Sequence, residues 1–158
     1  MTKRYVKETS GNLFLAATRD VISIISLLTI TEDPIEIVYE HICYTSKAAV
    51  EKYLKGFIRD NNCEIVKVRD LIYLWKKAMK INNDFLNIKE ICEELEKYNK
   101  KMMYGSKQRL TDEEVEVTLK SVVEVFNFPP IKVIRERFEK ENKIYKIPDI
   151  KKDMVLVR

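Results

Sequence analysis

Between Ile35 and Phe57, the apolar residues Ile35, Val38, Ile42, Ala49, Tyr53 and Phe57 recur at steps of three, four and seven. At about 100° per residue these steps bring all six onto one broad face, the pattern of a helix packed against a core. Ile37, Tyr44 and Ala48 fall roughly opposite, on the side of Glu51 and Lys55. A helix with apolar matter on two sides is either central to a bundle or placed at an interface.

The remainder of the chain reads as helices too. Its 158 residues include only three glycines and four prolines, and no Asn-Gly or Asp-Gly pair, which disfavours folds rich in β-hairpins. A first helix is expected from about Asn12 to Thr29, although its Val21-Ile22-Ser23-Ile24-Ile25 run also suits a strand, because β-branched residues are indifferent helix formers. Thr31-Glu32-Asp33-Pro34 supplies a start signal for the second helix, with Pro34 at its first position and its end near Arg59. A third helix begins near Arg69 or Asp70 and turns Leu71, Leu74, Trp75 and Ala78 inward until Asn82-Asn83-Asp84 breaks it. A fourth carries Ile88, Ile91, Cys92, Leu95, Tyr98 and Met102 on one face and stops at Gly105, a residue suited to the left-handed position after a helix end. Thr111-Asp112-Glu113-Glu114 has the capping-box pattern and precedes the stripe Val115, Leu119, Val122 and Phe126. Pro129-Pro130 ends that helix, and Ile131, Ile134 and Phe138 mark a short sixth.

The length suits one domain with a real core, and no composition break divides it. The expected fold is all-α, an up-and-down antiparallel bundle of five to six helices over residues 1–141, with 142–158 as a C-terminal extension or arm. That extension alternates Ile144, Tyr145, Ile147, Ile150, Met154, Val155, Leu156 and Val157 with lysines, and Pro148 interrupts it. An extended arm, a strand added to a partner chain and a loosely ordered tail all suit this pattern.

Charge and cysteine content exclude several classes. A net charge of +4, with 34% charged residues of both signs, describes a mixed surface rather than an arm that coats nucleic acid. Cys43, Cys63 and Cys92 are odd in number and form no Cys-x-x-Cys pair, so neither a disulfide framework nor a zinc site is indicated, and reduced core thiols in a cytoplasm are expected. The basic start Met1-Thr2-Lys3-Arg4-Tyr5 leads into an apolar run broken by Arg19 and Asp20, without a small-residue cleavage site. The uncharged stretch from Val21 to Thr31 is shorter than the roughly 20 apolar residues that cross a bilayer. A soluble, cytoplasmic protein without a membrane segment is expected.

The run Tyr44-Thr45-Ser46-Lys47-Ala48-Ala49-Val50-Glu51-Lys52-Tyr53-Leu54-Lys55 resembles the signature helix of the HEPN domain family (higher eukaryotes and prokaryotes nucleotide-binding domain). Val68-Arg69-Asp70-Leu71-Ile72-Tyr73-Leu74 resembles that family's His-Asp-Leu-containing helix start. The stretch from Tyr98 to Tyr104-Gly105, followed by Thr111-Asp112-Glu113-Glu114, is similar to its Arg-Tyr-Pro segment and the next helix. The likeness spans roughly residues 12 to 128. It implies a homodimer, a partner from the minimal nucleotidyltransferase family in a two-gene toxin–antitoxin arrangement, and a role in binding nucleotides or that partner.

Many HEPN ribonucleases share an Arg-x(4–6)-His motif. Here the one histidine, His41, has Glu36, Ile35 and Pro34 at the corresponding earlier positions, so the motif is absent. Arg69 stands where the family's related pattern has a histidine before Asp-Leu, and Met103-Tyr104-Gly105 where it often has an arginine before Tyr-Pro. A permanently protonated arginine binds phosphate but does not shuttle protons near neutral pH. His41 lies off the apolar stripe with no ligand at metal spacing, and Glu93, Glu94 and Glu96 suit a solvated face better than an acid/base pair. No catalytic residue, metal ligand set or cofactor motif is assigned.

The candidate ligand-binding residues are Tyr44, Lys47, Glu51, Lys52, Lys55, Arg69 and Tyr104. In the functional reading, Lys47, Lys52, Lys55 and Arg69 line a groove for a nucleotide or RNA phosphate, with Tyr44 stacking on a base. In the plainer reading, Lys47, Glu51 and Lys55 at i, i+4 and i+8 form surface ion pairs worth about 0.2–0.5 kcal/mol each. Lys97, Lys100, Lys101, Lys107 and Arg109 form a second basic cluster that also complements the dipole of the fourth helix. The leading expectation is a non-catalytic HEPN protein; the alternatives are a ribonuclease acting through Arg69, Tyr104 and Lys52, and a purely structural oligomer.

Overall fold

The computed structural model describes residues 8–30, 36–65, 67, 69–98 and 109–156. These residues form an all-α bundle with no strand among them. Its centre is an antiparallel pair, α1 (Ser10–Ile30) and α2 (Glu36–Asp60). Three polar contacts fix their register: Ser10 donates to the Gly56 carbonyl at 2.8 Å, Thr18 shares a hydrogen bond with Tyr53 at 3.0 Å, and Lys52 reaches Asp20 at 2.6 Å. The helices approach closely at Gly56, where a Cβ would fall 2.5 Å from the Phe14 ring. The β-branched run of α1 is helical because packing outweighs weak propensity: Val21, Ile24 and Leu28 are buried against the bundle.

By length and composition, Ser10–Thr29 is apolar enough to cross a membrane, although the uncharged run within it is short. In this fold Leu13, Phe14, Ala17, Val21, Ile24 and Leu28 of that helix serve the bundle interior instead.

Helix α2 ends on Asn62 in the left-handed region, φ 58°. The Cys63 N–H bonds the Ile58 carbonyl and the Asn62 N–H bonds the Arg59 carbonyl, the pairing that satisfies the last free carbonyls of a helix, here with asparagine in the place glycine usually takes. The next helix, α3 (Leu71–Ile81), starts beside Tyr44 and runs in the same sense as α2. Asp70 caps it by accepting from the Tyr73 N–H, and Leu71, Leu74, Trp75 and Ala78 are its buried residues, as expected. Asn82 ends α3 and caps a 3₁₀ turn, Asn83–Ile88, that leads into α4 (Lys89–Glu96) running back. Trp75 locks this corner by donating to the Phe85 carbonyl at 2.7 Å, while Phe85 packs on Phe57 with ring centroids 4.5 Å apart.

Helix α5 (Asp112–Phe126) carries the expected capping box at Thr111 and Glu114 and lies parallel to α2, with Cys43 beside Thr118 and Tyr53 against Phe126. Pro129 then opens α6 (Pro129–Lys140), whose Phe138 meets Phe14 at 5.7 Å. Asn142, at φ 57°, ends α6 by the same device as Asn62. Beyond it Ile144, Ile150, Met154 and Leu156 are buried in the common core, with a short helix α7 (Ile150–Asp153) between them. Helix α2 touches α1, α3, α4, α5 and α6, so its second apolar side is largely spent inside the bundle. Ile37, 60% exposed, is the exception.

Candidate functional site

The second side of α2 holds a cluster of charge. Lys47 and Glu51, one turn apart, are only 6% and 8% exposed, so they are not members of a solvated ladder. The cover comes from elements remote in sequence. Glu96, at the end of α4, sets one carboxylate oxygen 3.7 Å from Lys47 Nζ and accepts the Leu71 N–H on the other at 2.7 Å. One carboxylate thus ties α4 to α2 while satisfying a free amide in the first turn of α3. At the solvent edge Arg69 Nη1 lies 3.4 Å from the Tyr44 hydroxyl, to which it donates.

Burial shapes the ionisation of this cluster. Desolvation pushes the Glu51 carboxyl above its ordinary range, opposed by the positive charges of Lys55, Lys47 and Arg69. Desolvation likewise pulls Lys55 down, opposed chiefly by Glu51. Lys47, Lys55 and Arg69 therefore share the cluster with the carboxylates of Glu51 and Glu96, with Glu8 also acting on Lys55 and a phenol at the rim. The arrangement suits exchange of an internal carboxylate for an incoming phosphate, with the Arg69 fork at the surface to receive it.

Five of the seven sequence candidates gather here: Tyr44, Lys47, Glu51, Lys55 and Arg69. Lys52 does not join them. One residue further round α2, it faces α1 and pairs with Asp20, whose carboxyl is raised by burial and held down by the Lys52 contact. Tyr104 lies outside the described residues, as do Lys100, Lys101 and Lys107. Lys97 pairs with Glu94 at 2.6 Å and also approaches Glu114. Glu96 is the residue sequence reasoning placed on a solvated face; its role depends on α4 returning along α3, which no local spacing announces.

His41 is exposed, and Glu93 points to solvent opposite Lys89. The thiols of Cys43 and Cys92 are buried and pushed up to about 11 and about 12 by desolvation, which keeps them protonated and unreactive near neutral pH. Among the described residues no three His, Cys, Asp or Glu side chains are grouped to hold a metal ion.

The family model of the HEPN domain matches residues 18–133, which include α2, the Arg69-Asp70-Leu71 segment and α5. The chain belongs to the HEPN domain family. No curated protein and no solved structure matches it. The Tyr44–Lys55 run lies in α2, within the matched residues, and the charge cluster sits on the flank of that helix covered by α3 and α4.

Proposed function

We propose that this HEPN protein is a non-catalytic binding module, one that holds a nucleotide, an RNA phosphate or a partner protein through Tyr44, Lys47, Glu51, Lys55 and Arg69. The observation that carries this reading is the company of Arg69: a surface guanidinium beside an aromatic hydroxyl, backed by two lysines, with no histidine in the cluster. Such a site recognises phosphate by charge and hydrogen bonds, and it lacks histidine, the side chain whose ordinary pKa lies nearest neutrality. His41 has no arginine at the ribonuclease spacing and is not among these residues. The family supplies the rest of the proposal: a cytoplasmic homodimer working with a minimal nucleotidyltransferase, in a pair of the toxin–antitoxin kind.

The test combines activity with binding. Purified protein incubated with labelled RNA is expected to leave it intact, while mononucleotide or short RNA binds at low salt and is released as salt rises. Lys55→Ala/Arg69→Ala should weaken that binding at least about tenfold, the loss of one to two charged contacts. Metal-independent cleavage that survives stringent purification and disappears in Arg69→Ala overturns the non-catalytic reading. Absence of any phosphate binding shifts the function to protein contact alone, which co-purification with a nucleotidyltransferase encoded in the adjoining reading frame tests directly.

A further inference from the structure

A second feature lies at the other end of the chain, largely beyond the residues that the family model matches. Helix α6 and the arm that follows it enclose an open groove of about 450 Å³, within the size range of small-molecule sites. Its floor is Arg135, 5% exposed, stacked over the Phe126 ring at 3.7 Å. The guanidinium donates through Nε to the Phe126 carbonyl at 3.2 Å and through Nη1 to Glu139 at 2.5 Å. An arginine carries five N–H donors, so these bonds leave part of the fork of this groove-lining residue unspent. Lys132, also on the wall, is paired with Glu136.

Two further cations on the rim are differently placed. Lys140 and Lys146 line the groove, are exposed and make no ion pair among the described residues. With Arg135 offset by Glu139 and Lys132 by Glu136, the groove keeps two uncompensated positive charges. Ile147, Pro148 and Ile150 of the arm also line the groove and give it an apolar portion. Two free positive charges match a phosphate monoester dianion better than a single carboxylate, and the apolar wall suits a planar or hydrocarbon body carrying it.

We propose that the groove between α6 and the C-terminal arm binds a small organic phosphate monoester of mononucleotide size, its phosphate on Lys140, Lys146 and Arg135 and its body against Ile147 and Pro148. This site is separate from the α2 cluster, and the arm is part of the binding wall.

Methyl-detected NMR of isoleucine-labelled protein tests this at low salt, with adenosine monophosphate, adenosine and inorganic phosphate as separate titrants. Adenosine monophosphate is expected to shift the Ile147 and Ile150 methyl signals, and both adenosine and inorganic phosphate to do so at least about tenfold more weakly. Lys140→Ala/Lys146→Ala, two surface changes that leave the core intact, should weaken the monophosphate at these methyls by a similar factor. Arg69→Ala should leave them responsive, which separates this site from the α2 cluster. The proposal is overturned if Ile147 and Ile150 do not respond, if the double lysine variant binds unchanged, or if either adenosine or inorganic phosphate binds as tightly as the monophosphate.

Discussion

Replacing Gly56 by alanine is the sharpest probe of how this bundle is held together. In an isolated helix the change stabilises, because alanine exceeds glycine by about 1 kcal/mol in helix propensity. Here the new Cβ would lie 2.5 Å and 2.6 Å from two carbons of the Phe14 ring, where carbon atoms pack comfortably at about 3.5–4.0 Å. Retreat of the ring is resisted by its packing: Phe14 is fully buried, with the Tyr53 ring edge-on at 5.3 Å and the Phe138 ring at 5.7 Å. The helices must therefore separate by roughly 1 Å, stretching the Ser10 bond to the Gly56 carbonyl as well. Overpacking of this kind costs about 1–3 kcal/mol, and the hemmed ring places the cost toward the upper end. After the propensity gain, a net loss of about 1–2 kcal/mol is expected, or a fall of about 2–8 °C in melting midpoint for a chain of this size. Urea and thermal unfolding followed by circular dichroism measure it. Phe14→Leu should reduce the cost of Gly56→Ala, since the smaller side chain makes room, and this coupling is absent if the effect is merely helical. A Gly56→Ala protein as stable as the parent, or more stable, refutes the close approach.

Two further substitutions examine other parts of α2. Ala49 is fully buried, so Ala49→Leu should cost about 1–3 kcal/mol in the same unfolding assay, and an unchanged midpoint would mean that this face is not packed as described. Glu51→Gln addresses the charge cluster through pH. The folded Glu51 carboxyl titrates above its ordinary 4.5, so the native state takes up its proton first as pH falls. The burial penalty is therefore present at neutral pH and is relieved through the window just above 4.5. Over that window the stability of the parent should rise relative to Glu51→Gln, and a pH-independent difference would show that Glu51 is not buried as an ion.

The sequence by itself determined the long helices of this protein, though not the short helix Ile150–Asp153 in the C-terminal arm. Heptad-like spacing placed Ile42, Ala49, Tyr53 and Phe57 in the core, Thr111 and Glu114 announced their cap, and the asparagine pairs marked where helices stop, all through interactions within a few residues. It also marked the α2 signature, because small and charged residues recur there at helical spacing. What only the tertiary structure decided is which helix covers which charge. Lys47, Glu51 and Lys55 have the spacing of a solvated ladder, and nothing local distinguishes that from a buried cluster. Helix α3 lies parallel to α2, and α4 then brings Glu96 onto Lys47 across nearly fifty residues of sequence. Lys52 shows the same principle in the opposite sense, since one step of about 100° carried it from the candidate groove to Asp20 on α1. Periodicity is a property of one helix and can be read from its residues, whereas the partner of a buried charge belongs to the packing of several.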